Sequence, residues 1–131
     1  MNAKRQTGTI IIPFGALPEK HELETATVFT GTGVDVEFIV PNRTRGTKTP
    51  DIRMDGLDWE IKVPKGSSSR TIENNFRAAV KQSVNVIFDL RRTPLPDEKC
   101  IAQLKKEFEP RKRIKQLRVI TKHEQILTFG K

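Results

Sequence analysis

The chain has 131 residues, a length that suits one domain with a buried core. It is 35% hydrophobic and 31% charged with Gly 8 and Pro 8, which excludes a collagen-like chain and wholesale disorder. Lys and Arg number 24 against 16 Asp and Glu, and the resulting charge of +8 favours a polyanionic partner.

Residues 9–14, Thr-Ile-Ile-Ile-Pro-Phe, predict a short strand ended by Pro13. Pro18 opens a helix in which Leu23, Ala26 and Phe29 form an apolar stripe, and Gly31 and Gly33 end it. Residues 34–40 alternate, with Val34, Val36, Phe38 and Val40 on one side and Asp35 and Glu37 on the other, a strand pattern. A polar loop containing Gly46 follows over 41–49. Strands are predicted at 51–54 and 57–63, joined through Asp55-Gly56, a strong hairpin signal. After a Gly/Ser loop, Ser69 is the expected cap of a helix over 70–82, with Ile72, Phe76, Ala79 and Val80 buried.

Residues 84–90 form an apolar run broken only by Asn85 and Asp89, a buried strand. Pro94 and Pro96 punctuate, and Asp97 is the expected cap of a third helix that buries Ile101, Leu104 and Phe108. A hairpin over 117–121 and 125–129 closes the chain. The order β, α, β, β, β, α, β, α, β, β predicts an α/β (α+β) fold, a mixed sheet flanked by helices. One domain spans 1–131, with a core at 18–92 and a C-terminal helix and hairpin at 97–129.

No run approaches the roughly 20 apolar residues of a transmembrane helix. The N-terminus lacks the apolar segment of a secretory signal. The single Cys100 fits a reducing compartment and reads as a partly buried helix residue. These features predict a cytoplasmic protein with no membrane partner.

The basic residues are grouped. Residues 99–118 hold eight Lys and Arg against Glu107 and Glu109. Arg43, Arg45, Lys48 and Arg53 form a second group, and Arg91 and Arg92 a third. Arg70, Asn74, Arg77 and Lys81 fall on one helix face, either as a solvated surface or as a phosphate-binding stripe. There is no Tyr, Trp59 is the only Trp, and most of the seven Phe fall in apolar patterns. Contacts to a nucleic acid are therefore expected at phosphates, with no aromatic stacking platform.

The informative stretch is Pro50-Asp51, eight residues, then Glu60-Ile61-Lys62. Glu60 and Lys62 are two apart on a strand and share a face, while Trp59, Ile61 and Val63 point the other way. The hairpin folds Asp51 back beside Glu60. Paired carboxylates bind a hard divalent cation, naturally Mg²⁺, with Mn²⁺ or Zn²⁺ as other choices and the Ile61 carbonyl as a candidate third ligand. Lys62 can position a nucleophile or offset developing negative charge. The plainer alternatives are a turn-capping Asp51 and an exposed Glu60–Lys62 pair worth under ~1 kcal/mol. Asp58 shares the Glu60 face, either as a further ligand or as a solvated strand residue. His21 and His123 are assigned surface or capping roles.

This pattern resembles the PD-(D/E)xK nuclease superfamily, whose core runs helix, three strands, helix, strand. The resemblance implies a tuning acid on the first helix. Glu22, with Ala26, Phe29 and Gly33 after it, fits that place, and Glu24 is its rival. It also implies a supporting polar residue on the later helix, for which Gln82 is the candidate. A narrower resemblance runs from Lys20 through Phe129 and is to the C-terminal tRNA nuclease domain of contact-dependent growth inhibition toxins. It is carried by His21-Glu22-Leu23, Lys48-Thr49-Pro50-Asp51-Ile52, Trp59-Glu60-Ile61-Lys62, Arg70-Thr71-Ile72, Gln82-Ser83 and Asp89-Leu90-Arg91-Arg92. It implies metal-dependent cleavage of RNA, foremost tRNA, and a cognate acidic inhibitor protein. Lacking a large delivery region, the chain gives no expectation of delivery between bacteria. The rival readings are a DNA endonuclease of restriction or repair type and a non-catalytic basic module that binds nucleic acid.

Overall fold

The computed structural model describes residues 7–42, 44 and 48–131. Arg43 and Arg45 of the second basic group, and Gly46 of the predicted loop, lie outside the described residues, as do residues 1–6. The elements follow in the predicted order: β1 (Ile10–Ile11), α1 (Lys20–Thr30), β2 (Val36–Phe38), β3 (Ile52–Met54), β4 (Leu57–Lys62), α2 (Thr71–Ala79), β5 (Asn85–Asp89), α3 (Asp97–Phe108), β6 (Gln116–Ile120) and β7 (Ile126–Gly130). The seven strands form one mixed sheet in sequence order. β1–β2, β4–β5 and β5–β6 pair in parallel, and β2–β3, β3–β4 and β6–β7 antiparallel.

Two apolar layers hold the sheet. On one face, Ile72 and Phe76 of α2 and Leu104 and Phe108 of α3 pack with Val86, Phe88, Leu117 and Val119. On the other, Ala26 and Phe29 of α1 pack with Val36, Phe38, Ile52, Trp59, Ile61 and Ile87. The unbroken burial of β5 explains why it reads as an apolar run: it is central and covered on both faces. Trp59 is fully buried and its indole N–H donates to the Met54 carbonyl at 3.0 Å, so the ring adds apolar area without an orphan donor.

Several boundaries differ from expectation. β1 is two residues long because it pairs only at Ile10↔Val36 and Ile11↔Glu37. β2 stops at Phe38, since its last bond to the segment entering β3 is Ile39 N–H to the Asp51 carbonyl, and Val40 is left 44% exposed. α2 ends at Ala79 because the N–H groups of Lys81 and Gln82 turn back onto Ala78 and Ala79. Lys81 therefore leaves the helical stripe that Arg70 begins. Ser69 does not cap α2: Arg70 holds that position, and its N–H donates to Ser68 Oγ at 3.2 Å. Asp97 is the first residue of α3, after Pro96, and its carboxylate accepts the Lys122 N–H instead. Cys100 is fully buried.

The β3–β4 hairpin turns through Asp55 at φ 54 and Gly56 at φ 74, the left-handed pair of a type I′ turn. Nothing lies within 4 Å of a Cβ built on Gly56, so its constraint is backbone conformation alone. Gly56→Ala should lower stability in denaturant unfolding by about 1 kcal/mol through left-handed strain. An unchanged midpoint would contradict this account of the turn.

Candidate functional site

Asp51 is fixed by three bonds just ahead of β3. Its N–H donates to the Trp59 carbonyl at 2.9 Å, and its carbonyl accepts the Ile39 N–H at 3.0 Å. Its side chain reaches across the hairpin, where Oδ2 accepts the Ile61 N–H at 2.7 Å. The carboxylate thus lies against the Ile61 peptide, with Glu60 and Lys62 on either side in sequence.

On β4, Glu60 lies in register beside Val86 and Lys62 beside Phe88. Their shared face is the one packed by α2 and α3, so Glu60 is buried at 6% exposure despite its charge. Lys62 Nζ stands 3.7 Å from Glu60 Oε2. Glu60 Oε1 is buried without a hydrogen-bond partner. Burial raises the Glu60 pKa to about 8, helped by the Asp51 charge and opposed by Lys62.

The two rival acids of α1 separate cleanly. Burial raises the Glu22 pKa to about 7, against the lowering effect of the Glu19 N–H that donates to its Oε1 at 2.9 Å, and Asp51 adds to the rise. Glu22 and Asp51 both line an open cleft of about 80 Å³ whose other walls are mostly apolar, among them Leu17, Phe38 and Pro41, with Thr49 beside them. Glu24 turns away and pairs with Arg92 at 2.9 Å. Glu22 is therefore the helix acid of the cluster, and it also closes the first turn of α1.

A buried lock that the sequence reading did not assign holds α1 in place. Asp89, at the end of β5, accepts Thr25 Oγ1 at 2.7 Å and the Arg91 guanidinium at 2.8 and 2.9 Å. Burial alone pushes the Asp89 carboxyl up, but the bonds from Arg91 and Thr25 outweigh it and hold the pKa below its usual value. The available signal was a lone Asp in an otherwise apolar central strand.

The acid cluster fits a divalent cation. The Asp51 charge acts on both Glu22 and Glu60, and Lys62 moderates Glu60. A buried carboxylate oxygen with no donor calls for a positive charge or a proton. Among the described residues no three His, Cys, Asp or Glu side chains form a ready ligand set. Two carboxylates and a peptide carbonyl suit Mg²⁺, which keeps several of its waters.

The remaining candidates make other contacts. Asp58 pairs with Arg53 across the hairpin at 3.2 Å, and its carbonyl accepts Ser83 Oγ at 2.8 Å. Gln82 adjoins Ser83, toward the hairpin end of β4 and away from Lys62. Arg70 and Arg77 share Glu73, at 3.0 and 3.7 Å, and remain largely exposed. Arg91 is bound inward to Asp89, so its charge is already answered, while Arg92 keeps an exposed edge. Lys48 and Lys81 are exposed, Lys48 next to the cleft-lining Thr49.

Glu22 and Glu60 keep their protons to higher pH in the folded chain than in the unfolded one. The stability they contribute is complete below about 4.5 and is lost as pH rises through about 7 and 8. Without divalent metal, the thermal midpoint should fall across that window, and Glu60→Gln should flatten the fall. Added Mg²⁺ or Mn²⁺ should raise the midpoint more at the alkaline end than at the acid end. A midpoint equally insensitive to pH and metal would contradict the cluster.

The model of the contact-dependent growth inhibition CdiA C-terminal domain matches residues 48–126, more than half of the chain. No curated protein matches. Among solved structures, a CdiA-CT/CdiI toxin and immunity complex from Burkholderia pseudomallei contains a chain similar to this one, with a TM-score of 0.70. The two are 18% identical over 95% of this chain and 100% of that one, so the likeness is one of fold. With Asp51, Glu60 and Lys62 all inside the matched span, the chain belongs to the contact-dependent growth inhibition CdiA C-terminal domain family.

Proposed function

We propose that this domain is a metal-dependent endonuclease of the PD-(D/E)xK type that cuts RNA, foremost tRNA, in the bacterial cytoplasm. The observation that carries this reading is the partnerless Glu60 Oε1, buried within the cluster of Glu22, Asp51 and Glu60. Asp51 and Glu60 would hold Mg²⁺, or Mn²⁺ or Zn²⁺ in its place, with the Ile61 carbonyl as third ligand. Such an ion, when bound, polarises a phosphoryl oxygen and lowers the pKa of its water.

The side chains divide the remaining work. Asp51 is held by the Ile61 N–H and needs no rearrangement to keep its place. Lys62 has a quarter of its side chain exposed beside Glu60, where it can orient water or offset charge gathering on the phosphate. Glu22 sits at the cleft wall and sets the charge of the cluster. Lys48, Arg92, the exposed Arg70 and Arg77, and the basic 99–118 segment supply phosphate contacts. Substrate RNA, rather than DNA, rests on the resemblance of the Lys20–Phe129 run to tRNA nuclease domains. The similar Burkholderia chain was solved with an immunity protein. An acidic cognate inhibitor is accordingly the proposed protein partner here.

The wild-type chain should cleave bulk tRNA in Mg²⁺, and EDTA should stop it. Glu60→Gln and Lys62→Ala should each slow cleavage by about 100-fold or more. Tests on tRNA, single-stranded DNA and duplex DNA belong at one salt concentration, because phosphate contacts make affinity salt-dependent. Wild-type rates in either variant overturn the site. Faster cutting of DNA overturns the substrate, and binding without products under any metal reduces the domain to a basic module.

A further inference from the structure

Among the described residues, the large apolar side chains left in solvent gather beside the acid cleft. Phe14 is wholly exposed, Leu17 is 78% exposed, Ile12 50%, and Ile11 and Val40 44% each. Phe14 is not on a loose segment. The Ala16 N–H donates to the Pro13 carbonyl at 3.0 Å, and Gly15 between them has φ 94, the geometry of a type II turn. The turn sits on β2's continuation: a Cβ built on Gly15 would reach Val40 Cγ1 at 3.3 Å. Ala16, Leu17 and Pro18 then run directly into the cleft wall that faces Glu22 and Asp51. The turn therefore presents a bare aromatic ring two residues ahead of the cleft-lining Ala16.

We infer that Phe14, backed by Leu17, is a stacking surface for an unpaired base of the RNA next to the scissile phosphate. This rests on the nuclease reading and adds to it a preference for single-stranded or loop RNA. A phosphate held at Asp51 and Glu60 leaves the neighbouring nucleotide at the cleft rim. A base is available to a flat ring there only when it is unpaired. Lys48, beside the cleft-lining Thr49, adds charge for the backbone of the same strand. The expectation of purely phosphate contacts thus misses one aromatic: Phe14 follows an apolar run in sequence but lies outside both cores.

The test compares Phe14→Ala, Phe14→Leu and Phe14→Trp, each alone for cleavage and each combined with Glu60→Gln for binding to a single-stranded oligoribonucleotide by fluorescence anisotropy. Phe14→Ala should weaken binding about ten- to a hundred-fold, as loss of one base–aromatic stack does. Its thermal midpoint should stay unchanged, since the ring touches no core. Phe14→Trp should restore binding and Phe14→Leu should not. Unchanged affinity in Phe14→Ala while cleavage persists overturns the stacking alone. Equal rescue by Leu and Trp also overturns it, because any apolar side chain then serves in place of a stacking ring. A chain with Phe14 intact that neither binds nor cuts RNA overturns the nuclease reading as well.

Discussion

The site depends on one hydrogen bond, from the Ile61 N–H to Asp51 Oδ2 at 2.7 Å. It ties the segment entering β3 to the strand it folds back upon, and it fixes where a carboxylate stands relative to Glu60. The hairpin makes this bond reachable, because Asp55 and Gly56 accept the left-handed conformations that a two-residue connection needs. The Asp51 N–H and carbonyl are bonded to Trp59 and Ile39, so the residue cannot swing away without breaking the sheet. A loop acid would carry the same charge without this precision. The Asp89–Thr25–Arg91 lock acts in the same way for Glu22, by anchoring its helix to the end of the central strand.

The electrostatics of this arrangement run against stability. Three carboxylates lie close together in a chain whose net charge is +8, yet the nearest moderating cation is Lys62. Elsewhere in the molecule acids are answered directly: Asp89 by Arg91, Glu24 by Arg92, Glu107 by Arg111. Glu22 and Asp51 are met only by backbone N–H groups, Glu60 has Lys62 at 3.7 Å, and Glu60 Oε1 is buried without a hydrogen-bond partner. A buried carboxyl oxygen without a hydrogen-bond partner is costly, and such groups cluster at functional sites.

Much of the fold was legible because periodicity reports burial. Alternation in Ile52–Met54, the apolar run of β5 and the stripes of α1, α2 and α3 all correspond to packed faces. Lengths were less legible, since Ile39, Val40 and the residues after Ala79 lose their partners to chain geometry rather than to any change in residue type. Of the site, Asp51, Glu60 and Lys62 were readable from spacing plus the hairpin. The choice between Glu22 and Glu24 was not, because two positions on a helix differ by about 200° and only the docking of α1 decides which faces Asp51. Gln82 falls just past the end of α2, beside Ser83, whose hydroxyl donates to the Asp58 carbonyl. Arg91 read as a free cation because its partner, Asp89, was hidden in an apolar strand.

Family membership and the shared fold place this chain among growth-inhibition domains, and the proposed activity rests on the acid cluster. The most direct test of that claim is a calorimetric titration of the metal-free chain with Mn²⁺ at neutral pH, beside Asp51→Asn and Glu60→Gln. The account predicts saturable binding by the wild-type chain that both substitutions abolish or weaken at least tenfold. No binding by the wild type, or equal binding by all three, would contradict it.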